Sequence, residues 1–280
     1  MKKYLFIILI LSVNLVVAYQ WPSTGGEISS LFGSFRQGVV AKRITISSQE
    51  PLTINPIEDG SLLFVQTADD AIMPVRAGST VIIQNNNQIR SIYSHLNNVN
   101  IINNINVSDT FAAAAAGDNG YSFNLALYDN ALNQFVNPLL FLPLPGQLNI
   151  RPTIHNVSFL SANGNLITAT NNMQLSSGHY QVLINATQPS TLGRYSLIAY
   201  SFNLEFMGNI VNRFAFNAFS TGEGMATLHS TNLTGQSLYA DNGMLILGSL
   251  NLAPGQFFIT VRAANIFGNE HEQTLLVIVN

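Results

Sequence analysis

The chain has no cysteine. That excludes disulfides, a cysteine nucleophile and lipid attachment through an N-terminal cysteine. Charge is almost as scarce: Asp, Glu, Lys and Arg make up 9% of the residues, and the net charge is −3. Nucleic-acid binding needs a basic face to neutralise phosphates, and this composition argues against one. It argues equally against a polybasic membrane surface. Amphipathic helical periodicity is nearly absent. No G-x-S-x-G elbow is present, and no glycine-rich phosphate loop precedes a helix.

What is present begins with "MKKYLFIILILSVNLVVAYQ". Lys2 and Lys3 form a positive start, Tyr4 to Val17 is an almost unbroken apolar run, and Val16 and Ala18 fit the small-residue pattern of a cleavage site. The run is shorter than the roughly 18–20 residues of a spanning helix. Residues 1–18 therefore read as a signal peptide, and the rest as an exported protein of the periplasm or the cell exterior. Domains of ordinary size need no disulfides when their cores are large enough.

Beyond residue 18, short runs rich in Ile, Val, Leu, Phe and Thr recur between Gly, Pro and Asn. "RITIS", "GSLLFVQT", "STVIIQN", "IRSIYSHL", "YSFNLALYD", "PTIHNVSFL", "HYQVLINAT", "RYSLIAYSF" and "FFITVRAAN" all read as strands. The expected class is all-β. In "YSFNLALY", Tyr121, Phe123, Leu125 and Leu127 share one face, and Ser122, Asn124 and Ala126 the other. Pro138, Pro143, Pro145 and Pro152 crowd one stretch, which stops regular structure and stiffens a connector. This divides the chain into residues 19–147 and 148–280. Abundant Asn reads as a substitute for charge on solvent faces and in turns. The N-x-S/T triplets at Asn106, Asn156, Asn185 and Asn232 are glycan acceptors only in a eukaryotic secreted protein.

Four phrases in the first half, in order, carry a resemblance. They are "WPSTGGEISSLFGSFRQG", "INPIEDGSLLFV", "GSTVIIQNNNQIRSIYSHL" and "YSFNLALYDNALNQFVNPLLFLP". Together they resemble the lysostaphin-like (LytM-type) zinc peptidases, which cut peptidoglycan cross-bridges. The resemblance runs from about Trp21 to Pro143. It implies the β-sheet/barrel peptidase fold of the duplicated hybrid motif type. "LSSGHYQVLI" and "LAPGQFFITVRAANIFGNE" resemble the immunoglobulin-like β-sandwich that follows this domain in some bacterial proteins.

The family holds zinc with a His and an Asp spaced H-x-x-x-D and with the second His of H-x-H. A water takes the open position. The other His of H-x-H and the His of Y-x-H-L sit beside that water. In "FRQGVVAKRITI" the first two ligand positions fall on Ala41 and Thr45. The H-x-H pair falls on Ser122 and Asn124, or on Gly120 and Ser122 if the strand shifts by two. Only His95, in "IYSHL", keeps its identity. Zinc sites need imidazole or deprotonated ligands, so the zinc site is expected to be lost, with no cofactor and no catalytic residue.

The resemblance then implies an inactive pseudopeptidase. Its partner would be peptidoglycan or a cell-envelope protein, held in a groove around Ala41, Thr45, Tyr93, His95, Tyr121, Ser122 and Asn124. The "AAAAAGDNG" run, Ala112 to Gly120, reads as a strand and turn packed with small residues beside that groove. The alternative is an active endopeptidase with a rebuilt metal site, for which Glu58, Asp69, Asp70 and Asp118 are the nearby carboxylates in sequence. His155, His179, His229 and His271 are scattered and read as surface or turn residues.

Overall fold

The computed structural model describes residues 19–67, 78–85, 88–100, 103–190, 192–222, 225–229, 231, 233–234 and 237–280. Residues 1–18, expected to be a signal peptide, lie outside the described residues, as do Asp69, Asp70 and Asn232. The described chain is all-β, broken only by two 3-10 turns at Pro138–Leu140 and Gly146–Leu148. No helix among the described residues is long and apolar enough to cross a membrane.

The first half supplies β1 (Glu27–Ser30), β2 (Phe35–Arg36), β3 (Val39–Val40), β4 (Ile44–Ser48), β5 (Thr53–Ile54) and β6 (Gly60–Gln66). It continues with β7 (Ser79–Asn85), β8 (Ile89–Asn97), β9 (Asn104–Ile105), β10 (Ala112–Gly117), β11 (Gly120–Asp129) and β12 (Gln134–Val136). The second half supplies β13 (Thr153–Ser161), β14 (Leu166–Thr168), β15 (Met173–Leu175), β16 (Gly178–Pro189), β17 (Ser196–Ile198) and β18 (Ser201–Phe206). It ends with β19 (Asn209–Ala215), β20 (Ala218–Gly222), β21 (Met225–Leu228), β22 (Leu245–Leu252), β23 (Gly255–Ala264) and β24 (Glu270–Val279).

The main sheet runs β21-β20-β12-β11-β10-β8-β7-β6-β9, with β11 also paired to β4 and β8. Its strands form because β-branched residues alternate with polar ones. In β7, Val81 and Ile83 are buried while Thr80, Ile82 and Gln84 are half exposed. Residues paired across neighbouring strands share a face. Val81 pairs with Tyr93, Tyr93 with Leu125, and Leu125 with Ile44, and all four sit in the core.

The second half forms two further sheets. One is β14-β13-β16-β17, with β22 added on β16; the other is β15-β24-β23-β18-β19. The turn at Gly268 and Asn269 closes the β23–β24 hairpin. Val182 and Ile184 of the first sheet and Val261 and Val277 of the second belong to the same apolar core as the first half.

The junction between halves is built from strand pairing, not from a linker alone. β12 pairs with β20, matching Phe135 to Phe219 and Val136 to Ala218. The second half thus adds the β20–β21 hairpin to the first half's sheet, across the division drawn at residue 147 from the prolines. Phe219 lies 5.2 Å from Phe32, ring to ring, and both are fully buried. Burying a phenylalanine stabilises by about 1.5–3 kcal/mol. Asn137 Nδ2 donates to the Phe216 carbonyl at 2.9 Å, and Tyr239 Oη donates to the Gly33 carbonyl at 2.6 Å. Gly33 holds φ +91°, and a Cβ there would lie 2.4 Å from the Phe216 ring. Only glycine fits this approach.

Candidate functional site

The face of the main sheet opposite the core is open, and its residues fall in rows. Gln66 pairs with Thr80, Thr80 with Ser94, Ser94 with Asn124, and Asn124 with Thr45. This row is polar but carries no charge. The next row is apolar: Phe64 pairs with Ile82, Ile82 with Ile92, and Ile92 with Ala126.

Hydrogen bonds knit the polar row together. Thr45 Oγ1 donates to Asn124 Oδ1 at 2.8 Å, and Asn124 Nδ2 donates to Ser94 Oγ at 3.3 Å. At one end stands His95, whose Nδ1 lies 2.9 Å from the Ser122 carbonyl oxygen and 3.1 Å from Ser122 Oγ. A carbonyl oxygen only accepts, so in that bond Nδ1 carries the proton and Nε2 is left as the free ring nitrogen. His95 has φ 62° and is the extra residue of a β-bulge: Ser79 pairs with Leu96 and Thr80 with Ser94, leaving His95 unmatched.

Two aromatic residues expected in the groove are elsewhere. Tyr93 is fully buried on the core face, edge-on to Phe111, and its hydroxyl accepts a hydrogen bond from the Ile57 amide at 2.9 Å. Burial pushes its phenol well above the ordinary value. Tyr121 is half buried and packs against the core on the Phe123 side of β11. The bulge explains Tyr93: the two-residue alternation that would put it beside His95 restarts at the extra residue. Ala41 is held in the loop before β4, bonded to Ser34 and Gly33. In the alanine run, β10 pairs with β5, β8 and β11, with Ala112 and Ala114 buried.

A groove with about 330 Å³ of space runs beside Asn124, between β8, β11 and the loop leading to β4. Its walls include residues that sequence reasoning missed: Lys42, Arg43, Ile92, Ser94 and Phe135. Ile92 and Ser94 were within reach of the strand alternation. Lys42 and Arg43 carried no signal in the sequence, because the ligand pattern passes over them. Lys42 Nζ sits 5.4 Å from the Phe135 ring centre, and burial lowers its pKa.

The donor set does not suit zinc. Ala41 has no donor atom. Thr45 and Asn124 are neutral and already bonded to each other, and Ser122 is a neutral hydroxyl beside His95. Among the described residues no three His, Cys, Asp or Glu side chains come together. Of the other histidines, His155 and His179 bond Thr187 and Asn251, and His271 accepts from the Ile154 amide, all in the second half.

A protein-family model that carries no functional description matches residues 151–280. No curated protein matches the chain. Similar solved structures include the SpoIIQ–SpoIIIAH pore-forming complex, at 12% identity and TM-score 0.38 over 46% of this chain and 92% of that one. Helicobacter pylori Csd3 is similar at 18% identity and TM-score 0.36, over 46% of this chain and 34% of its own. The chain thus spans about a third of the length of Csd3. The catalytic domain of the prophage-encoded M23 protein EnpA from Enterococcus faecalis is similar at 18% identity and TM-score 0.34, over 44% and 95%. These likenesses cover less than half of the chain, and the functional reading rests on the site.

Proposed function

We propose that this chain is an exported, catalytically inactive lysostaphin-like protein that works by binding in the cell envelope. The observation that carries the reading is the Thr45–Asn124 hydrogen bond. Two positions where the resembled family holds its metal are joined by a neutral hydroxyl–amide contact, with Thr45 Oγ1 donating to Asn124 Oδ1, and neither side chain is an imidazole or an anion. A catalytic zinc needs three protein ligands with imidazole or anionic donors, and this set offers none around Thr45. The partner is peptidoglycan or an envelope protein, held on the open sheet face beside His95. The second half, an immunoglobulin-like sandwich in this reading, fixes the groove against a rigid body through the β12–β20 pairing.

The test is zinc stoichiometry by elemental analysis and calorimetry on the purified protein, together with cosedimentation with sacculi. We expect no tight zinc and no release of peptide from sacculi. Stoichiometric zinc, with cleavage lost on chelation, would overturn the reading in favour of an active endopeptidase.

A further inference from the structure

We propose that the groove beside Asn124 holds the free carboxylate end of a peptide. Lys42 and Arg43 take the carboxylate, and Ile92 and Phe135 take the side chain of the terminal residue. The inference rests on the reading that this face binds and does not cleave, and it names the chemistry of what is bound.

The argument starts from charge. The chain spends few charged residues, yet two adjacent cations line one groove. Neither Lys42 nor Arg43 has an ion-pair partner among the described residues, where the ion pairs go to Arg194 and Arg262. Among the described residues no Asp or Glu lines the groove. The Lys42 ammonium sits over the Phe135 ring, partly out of water and with no counter-ion among the described residues. A charge desolvated in that way is costly until an anion arrives. An incoming carboxylate would meet one ammonium and one guanidinium, the latter able to bind it through two nitrogens.

Size and wall chemistry narrow the ligand. A space of about 330 Å³ is at the small end of ligand sites, enough for one or two residues. The apolar wall lies directly beside the cations, so charge and apolar group must belong to the same residue. A terminal apolar amino acid meets that condition, whereas an acidic side chain carries its charge in place of an apolar group. On the groove floor, Asn124 Nδ2 has a second hydrogen and Ser94 Oγ has its own to donate. They suit the peptide bond that precedes the terminal residue.

The experiment is a titration of the isotope-labelled protein followed by the backbone amide signals of Lys42, Arg43 and Asn124. The probes are N-acetyl-Ala-Val as free acid, the same dipeptide as its carboxamide, N-acetyl-Ala-Glu carboxamide, and zinc chloride. The free acid should give saturable shifts, with affinity at least about tenfold above either carboxamide. Lys42→Gln with Arg43→Gln should remove that preference while leaving the rest of the spectrum in place. Equal affinity for the free acid and its carboxamide, equal affinity for the Glu probe, or no shifts at millimolar free acid would each overturn the inference. Zinc-dependent shifts at Thr45 and Asn124 would instead overturn the metal-free reading, so the two fail separately.

Discussion

At His95 the backbone turns to φ 62° and the alternation of β8 begins again. Before it, Ile92 and Ser94 face out and Tyr93 faces in, the reverse of the groove expected around Tyr93. The pairing of Tyr93 with His95 as groove neighbours fails because a bulge residue in that conformation leaves no local signature in a His codon's neighbours. Tyr93→Phe removes the acceptor of the buried Ile57 amide and should cost about 1–3 kcal/mol, measured by urea unfolding. The same variant tests a pH effect. Burial raises the phenol's pKa in the folded state, so its contribution is intact below about pH 10 and is lost as pH climbs above it. Tyr93→Phe should therefore flatten the alkaline fall in stability by about 1.4 kcal/mol per pH unit.

The phrase around Ala41 and Thr45 keeps the frame of the resembled motif, and that frame is what marks these two positions in the sequence. What the sequence left open was the register of β11. The Asn124–Thr45 pairing places Asn124 opposite Thr45, while Ser122 contacts His95. Ala41→His with Thr45→Asp and Asn124→His should gain zinc affinity in the micromolar range or better, about −8 kcal/mol. The same set with histidine at Ser122 in place of Asn124 should not, and calorimetry with zinc separates the two.

Among the elements, most strands lie where the apolar runs and turn residues placed them. The "RYSLIAYSF" run is an exception. It breaks into β17 and β18, which belong to different sheets. Hydrophobic alternation reads a face but not a partner, so the crossing was hidden. The short pairs β2–β3 and β20–β21 were hidden too, since their positions follow from contacts distant in sequence. Gly33 is one such contact. Gly33→Ala forces a Cβ into the Phe216 ring at a left-handed φ and should destabilise by about 2–4 kcal/mol, read as a lowered thermal midpoint.

For the whole molecule, the proline-rich connector divides the sequence into residues 19–147 and 148–280, and one apolar core runs through both. Tyr239, buried, donates to the Gly33 carbonyl, and Glu27 meets Arg194 and the Leu192 amide. Halves sharing a sheet and a core should unfold together. Scanning calorimetry should show one transition, with calorimetric and van't Hoff enthalpies equal within error. Two resolved peaks would contradict the shared core.

The pairing of β12 with β20 also sets an order of events. A chain threaded or synthesised from its N-terminus delivers Gln134–Val136 long before Ala218–Gly222 can meet it. Until then the first half carries an open strand edge and an uncovered Phe32. Such an edge recruits other chains in the way that aggregating sheets do. The wait favours slow emergence under the guard of a holding chaperone, and it makes a ribosome or translocon that stalls past residue 147 a source of sticky fragments. The β20–β21 hairpin is, in effect, what makes the edge at β12 safe.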